Sequence, residues 1–261
     1  MNTPLPLDIK LMNATASVLY AGVAVLLAAA LGWWLLRHQA FAIGAIRVQG
    51  ELAHNNAVTL RANVAPKIHG NFFTVDLEST RHAFEAVPWV RKAVVRREFP
   101  NRLRVVLQEH QAVAYWGAES ETRLLNQLGE VFEANVGEVE QDELPRLQGP
   151  DGQSSQVLAM YRALVPVFET IDAVLEELEL SSRGSWRAHT DAGAVIELGG
   201  GTEEEVLARA RRFVQTFTQV AARHQRGADA IETADLRYAQ GYALKLRGVS
   251  TTVAAPRGQK K

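Results

Sequence analysis

The hydrophobic positions of this chain begin as an unbroken block and then break into short alternating and helical rhythms. The block is Val18 to Leu36 (VLYAGVAVLLAAALGWWLL), nineteen residues without a charge. As a helix rising about 1.5 Å per residue it covers roughly 28 Å, close to the hydrocarbon thickness of a bilayer. It ends in Trp33 and Trp34, amphipathic rings that settle at membrane–water interfaces. A retained anchor is the leading reading. The rival is a cleaved signal peptide, since Ala40 and Ala42 stand at the spacing such a site needs. Against it, the block is longer than a signal core, and the Trp pair and Arg37 intervene. Lys10 precedes the block and Arg37 and Arg47 follow it, so the count of cations leaves the orientation open.

After the block the rhythm turns globular. From Phe41 to Glu109 the pattern predicts the order β-α-α-β-β. Ile43, Ala45 or Ile46, and Val48 make a short strand ending at Gly50, and a helix near 57–64 stops at Pro66, which cannot continue it. Phe72 and Phe73 form an apolar plug, and Asp76 caps a second helix whose stripe includes Leu77, Ala83, Phe84 and Val87. Two strands follow, 89–98 and 103–109, joined by a turn at Phe99-Pro100-Asn101-Arg102. In the second strand Leu103, Val105 and Leu107 alternate with Arg104, Val106 and Gln108, the period of a half-buried strand.

From His110 to about 250 the pattern predicts an α+β body with a mainly antiparallel sheet. Short strands at 123–125 and 130–132 flank the turn Asn126-Gln127-Leu128-Gly129. A helix spans 154–171, kinked at Pro166, and strands fall at 175–180, 185–190 and 194–198. Thr202 and Glu205 form a capping box that opens a helix with Val206, Ala210, Phe213, Phe217 and Val220 on one stripe. The last strands are read at 230–238 and 241–248, the final one a candidate sheet edge. The organisation is therefore a tail at 1–17, an anchor at 18–36, a first domain at 41–109, a second at 110–250, and a disordered tail at 251–261.

Composition narrows the chemistry. The chain has no cysteine, which removes disulfides, thiolate catalysis and Cys-rich metal sites. A net charge of −1 exerts no global pull toward nucleic acid. None of the seven histidines sits in a zinc-protease pattern, and there is no nucleophile elbow and no phosphate loop with its lysine. Gly199-Gly200-Gly201 reads as the flexible entry to the helix that follows rather than as a phosphate cradle. No catalytic residue, metal site or cofactor is expected. The one unusual charge feature is a basic hairpin, Arg91, Lys92, Arg96, Arg97, Arg102 and Arg104. It reads either as a solvated sheet face or as a contact for lipid headgroups or an acidic partner; only Phe99 interrupts it, too little aromatic content for nucleic-acid binding.

The stretch from Phe84 to Trp116 (FEAVPWVRKAVVRREFPNRLRVVLQEHQAVAYW) closely resembles the bacterial cell-division family FtsQ. FAIGAIRVQG, FFTVDL, Ser185-Trp186, LGGGTEEE with the following RFV, and ADLRYAQGYAL resemble it further, so the likeness spans essentially the whole chain. The resemblance implies a cytoplasmic tail, one inner-membrane helix, a periplasmic polypeptide-transport-associated (POTRA) domain and an FtsQ-type β domain. It implies a non-enzymatic scaffold of the divisome at the septum that binds FtsB and FtsL, links early and late division proteins, and helps control septal peptidoglycan synthesis. In the family the last strand is the FtsB-binding edge, here Tyr238 to Leu246. Position by position the contacts fall on Tyr238, Gln240, Gly241, Tyr242 and Leu246, with Leu244 on the same strand, and Arg183 matches an arginine that meets an acidic part of the partner. Gln240, Tyr242 and Leu246 depart from the family's residues at these places. Taken without the resemblance, Tyr238 and Leu246 read as core residues of a final strand and Arg183 as a solvated turn residue. A POTRA-type secretion or outer-membrane assembly factor is the alternative, although such proteins carry several POTRA domains or a barrel, for which the segment after Val249 is too short. An envelope-anchored hydrolase is the third class, against the missing catalytic motifs.

Overall fold

The computed structural model describes residues 7–36, 38, 41–50, 52–118, 123–135, 137, 139, 144–223 and 225–249. Arg37, Ala40 and the expected tail 251–261 lie outside the described residues. The chain divides into two units, Met1–Glu109 and His110–Lys261.

Unit 1 opens with helix α1, Leu7–Leu36. It starts well before the apolar block because Asp8 lies in its first turn, where a carboxylate favours the helix N-terminus, and the following residues are good helix formers. Residues 7–17 of the expected tail are thus helical. The span Asp8–Trp34 is long and apolar enough to cross a membrane, and none of it is buried. The rest of the unit runs β1 (Ala45–Gln49), α2 (Ala57–Val64), α3 (Leu77–Glu85), β2 (Val90–Glu98) and β3 (Arg102–Glu109). The sheet order is β1-β3-β2, with β1 parallel and β2 antiparallel to β3.

Local signals explain the helices. Asn56 Oδ1 accepts from Val58 N and Thr59 N to start α2, and Asp76 Oδ1 accepts from Glu78 N at 3.0 Å to start α3. As expected, α2 ends at Val64, ahead of Pro66. The proline sits at the opening of a tight turn, Ala65–Lys67, where a residue lacking an N–H costs nothing. The two helices cover one sheet face through Leu60, Val64, Phe84, Val105 and Leu107, all at most 3% exposed. Two charged side chains stitch loops to this core. Arg97 donates to Phe72 O and Val75 O, each at 2.7 Å. Glu109, its side chain 6% exposed, accepts from Ala53 N at 2.8 Å, His54 N at 3.1 Å, and Asn55 N and Nδ2 at 3.0 and 2.9 Å. Burial pushes its carboxyl up, but these donors outweigh burial and hold it below the ordinary carboxylate value.

Unit 2 is one nine-stranded sheet in the order β12-β11-β10-β9-β8-β7-β4-β5-β6. Its strands are β4 (Ala112–Trp116), β5 (Arg123–Asn126), β6 (Val131–Glu133), β7 (Arg146–Gln148), β8 (Leu175–Leu180), β9 (Trp186–Thr190), β10 (Val195–Gly199), β11 (Ile231–Asp235) and β12 (Ala243–Leu246). Helix α4 (Ser154–Phe168) joins β7 to β8, and α5 (Glu203–Arg223) joins β10 to β11. Those two neighbours are parallel, as a helical crossover requires, and so is β4 with β7; the other pairs are antiparallel. The core lies between sheet and helices, with Trp186, Phe168, Phe213, Leu147, Leu178 and Ile196 at most 2% exposed. The expected capping box forms: Glu205 Oε2 accepts from Thr202 N at 2.9 Å, and Thr202 Oγ1 accepts from Glu205 N at 3.3 Å. On the sheet's open face Arg187 lies between Glu197 and Glu179, at 2.7 and 3.4 Å.

Strands β4 and β7 were not anticipated. β7 is three residues, too short for any periodicity to register, and β4 acquires its place by pairing with β7 and β5.

Candidate partner-binding edge

Parallel β10 and β11 end side by side, and the Leu236 N–H donates to Glu197 O at 2.8 Å. The chain then leaves the sheet. Residues 236–242 form a loop, so the predicted strands at 230–238 and 241–248 are shorter in the structure, at 231–235 and 243–246. Three contacts hold the loop off the ladder. Arg237 doubles back onto Asp235, with hydrogen bonds of 2.8 and 2.6 Å, and this guanidinium holds the Asp235 carboxyl below its ordinary value. Arg212 of α5 donates to Ala239 O at 2.9 Å. The Tyr242 ring meets Phe213 edge-on at 5.0 Å, and its hydroxyl accepts from Thr216 Oγ1 at 3.1 Å.

β12 then pairs antiparallel with β11, Ala234 opposite Leu244 and Asp235 opposite Ala243. It ends the nine-strand order, so it has one strand neighbour among the described residues. The Arg247 N–H donates to Ala230 O at 2.8 Å. Because successive peptide groups of an antiparallel strand point to opposite sides, Lys245 and Ala243 also face β11, while the Leu244 and Leu246 N–H groups face outward. The outward Leu246 carbonyl accepts from Val249 N at 3.2 Å. Among the described residues the outward Leu244 N–H and C=O have no strand opposite them. Four-residue length and Lys245, ion-paired to Glu232, keep this edge from pairing indiscriminately.

The candidate residues divide into three groups. Leu244 and Leu246 lie in β12; Leu246 is 7% exposed and belongs to the core, as an ordinary final-strand residue does, and Leu244 packs against that core. Tyr238, Gln240, Gly241 and Tyr242 lie in the loop, and Tyr238 is 58% exposed, so it is not a core residue. A Cβ at Gly241 would meet no described atom within 4 Å, so the fold itself does not require glycine there. Arg183 lies in the exposed turn between β8 and β9, with no hydrogen bond or ion pair among the described residues.

That turn and the loop share one end of the sheet. A Cβ on Gly200 would stand 3.0 Å from Gly184 O, and one on Gly199 would stand 2.9 Å from the Arg237 side chain. The two glycines therefore let the β8–β9 turn and the start of the 236–242 loop close over the end of β10. This close approach is the work of Gly199 and Gly200, and Gly201, at φ 122, carries the chain into the capping box. Arg212 and Phe213, which position the loop, were read only as helix residues. Their spacing on α5 carried no sign of it, because the contact is made across 26 or more residues of sequence. Among the described residues no three His, Asp or Glu side chains gather as a metal site.

A membrane-length helix, a β-α-α-β-β unit and a mixed sheet whose terminal strand has one strand neighbour among the described residues define the architecture of a single-pass protein with a two-domain body. Comparison with known proteins makes the class specific. Residues 41–110 match the model of the POTRA domain, FtsQ-type, and residues 114–237 match that of cell division protein FtsQ/DivIB, C-terminal. Cell division protein FtsQ of Burkholderia pseudomallei is 41% identical over 97% of this chain and 99% of its own. Those of Thiomonas arsenitoxydans and Bordetella pertussis are 39% and 36% identical over 94% and 89% of this chain and 90% and 86% of their own. The chain belongs to the FtsQ/DivIB family of cell-division proteins. It is a single-pass membrane protein of the divisome, in a family of scaffold proteins that is not a known enzyme family. The match to the C-terminal family model stops at Arg237, one residue before Tyr238.

Proposed function

We propose that this protein is a non-enzymatic divisome scaffold that captures an extended segment of FtsB by strand addition on β12, with FtsL held in the same complex. It links early and late division proteins at the septum, with the tail in the cytoplasm and both domains, 41–109 and 110–250, in the periplasm. The observation that carries this reading is the outward Leu244 peptide pair on a terminal strand with one strand neighbour among the described residues. An added strand hydrogen-bonds to such groups, and side chains beside them select the partner. Tyr238 supplies a rigid exposed ring, Gly241 leaves space for a close backbone, and Tyr242, braced by Phe213, fixes where the loop stands. Arg183, at the same sheet end and without an ion pair among the described residues, is available to an acidic partner residue. Leu246 acts from beneath by seating the strand in the core.

Leu244→Pro tests this directly. The outward N–H is lost while the β11 ladder is kept, because proline is tolerated on an edge whose N–H faces away from the sheet. Titration of the full chain in nanodiscs with a periplasmic FtsB segment is expected to lose at least about 100-fold in affinity. Hydrogen exchange should show β11 still protected. A folded variant that binds FtsB unchanged would overturn the strand-addition reading.

A further inference from the structure

We propose that the end of unit 1 nearest the anchor docks on the lipid surface, with Phe99 entering the interfacial layer and an arginine row beside it meeting anionic headgroups. The covalent path fixes which end this is. Leu36 ends α1, and Phe41 follows five residues later, a reach of at most about 18 Å even fully extended. Phe41 is built into the unit: its carbonyl accepts from Phe72 N at 2.9 Å, and its ring meets Phe73 at 5.1 Å. The β2–β3 turn lies at the same end, since Gly44 N donates to Asn101 O at 2.9 Å and the Phe99 ring lies 6.4 Å from Phe72. A chain leaving the membrane therefore delivers this turn to the headgroup region.

What the turn carries there suits a lipid surface and not water. Phe99 is 82% exposed at its tip and Phe73 is 44% exposed beside it. Behind them the outer face of the sheet holds Arg47, Arg104 and Arg96 in register across three strands, with Arg102 one row nearer the tip. Like charges directly opposite on a sheet destabilise it. Glu98, ion-paired with Arg104 at 2.7 Å and within the field of Arg47 and Arg102 as well, is one negative charge set against four positive ones. Arg47 and Arg96 are exposed and carry no ion pair among the described residues. An exposed aromatic tip backed by cations is the arrangement by which protein surfaces enter the interfacial layer of anionic bilayers.

The chain has no cysteine, so a single introduced thiol reports cleanly. Phe99→Cys carries an environment-sensitive fluorophore in the full chain, reconstituted in nanodiscs with doxyl-labelled lipid as quencher. Val58→Cys is the control. Val58 is 78% exposed in the first turn of α2, at the end of unit 1 where Glu109 closes β3, opposite the turn that opens it. The expected result is quenching at position 99 several-fold greater than at 58. It should rise with the share of phosphatidylglycerol and fall when Arg47→Ser and Arg96→Ser are combined. Equal quenching at both positions overturns the docking, and leaves the arginine row to an acidic protein. Excess quenching at 99 that is as large in pure phosphatidylcholine overturns the role of the arginines.

Discussion

The two sheets follow the same alternation of inward apolar and outward polar residues, yet they handle charge in opposite ways. In unit 2 the open face is self-neutralised: Arg187 stands between Glu179 and Glu197 on neighbouring strands. In unit 1 the corresponding row is arginine on all three strands, with one glutamate close by. Their interiors differ in the same sense. Unit 2 is held by a broad apolar layer under two helices, whereas unit 1 supplements a small core with charged side chains that bind backbone, the buried Glu109 carboxylate closing the 53–55 loop and the exposed Arg97 the 72–75 loop. A small domain buries too little apolar surface to hold its loops by packing, and charge-assisted hydrogen bonds to backbone do that work instead. The contrast teaches where each unit is vulnerable. Unit 2 is sensitive to lost volume, unit 1 to lost charge.

The largest expected effect is on the apolar side of this contrast. Phe213→Ala removes a fully buried ring of unit 2 and should cost about 3–5 kcal/mol. Hydrogen exchange of the full chain in nanodiscs should show the loss in unit 2 with unit 1 unaffected. Because Tyr242 rests on this ring, FtsB affinity should fall as well. Loss of protection spread equally over both units would break the picture of separate interiors.

Next in size is the charge clamp. Glu109→Gln turns an amide toward backbone N–H donors and should cost unit 1 roughly 1–3 kcal/mol, with little change in unit 2. Since the folded carboxyl lies below its ordinary value of 4.5, its stabilisation is complete above that value and is lost as pH falls through the folded one. Wild-type unit 1 should therefore lose protection on acidification below about pH 4.5, and the glutamine variant should lose less. Part of the slope will remain, because Arg81 and Arg104 also hold Glu78 and Glu98 low. An identical pH profile in the variant would remove Glu109 from the account.

The smallest effect belongs to the binding edge. Arg183→Glu on an exposed turn should leave stability unchanged and weaken FtsB binding several-fold at low salt, mainly through slower association. The difference should shrink as salt rises. No change at low ionic strength would place the acidic contact elsewhere on that sheet end.

Several features were readable because their signals are local. Asp76 capping α3, the Thr202–Glu205 box, the alternation of Leu103, Val105 and Leu107, and the length of the apolar helix each depend on residues within a turn or a strand of one another. Family membership was likewise legible in the hairpin residues. The misjudged parts are those made by distant partners. The final strands were read too long, because Arg212, Phe213 and Thr216 draw the 236–242 loop toward α5 and no repeat along the sequence reports that pull.

What the sequence by itself determined is the inventory: a membrane-length helix, a β-α-α-β-β unit and a strand-rich second body. These follow from periodicity, capping and composition, which act over a few residues. Only the tertiary structure decided that β12 ends the nine-strand order, that Leu244 turns its peptide groups outward while Leu246 faces the core, and that Arg183 shares a sheet end with Tyr238. Strand order and register are settled by pairing between segments far apart in the chain, and the period of two is the same in a central strand as at an edge.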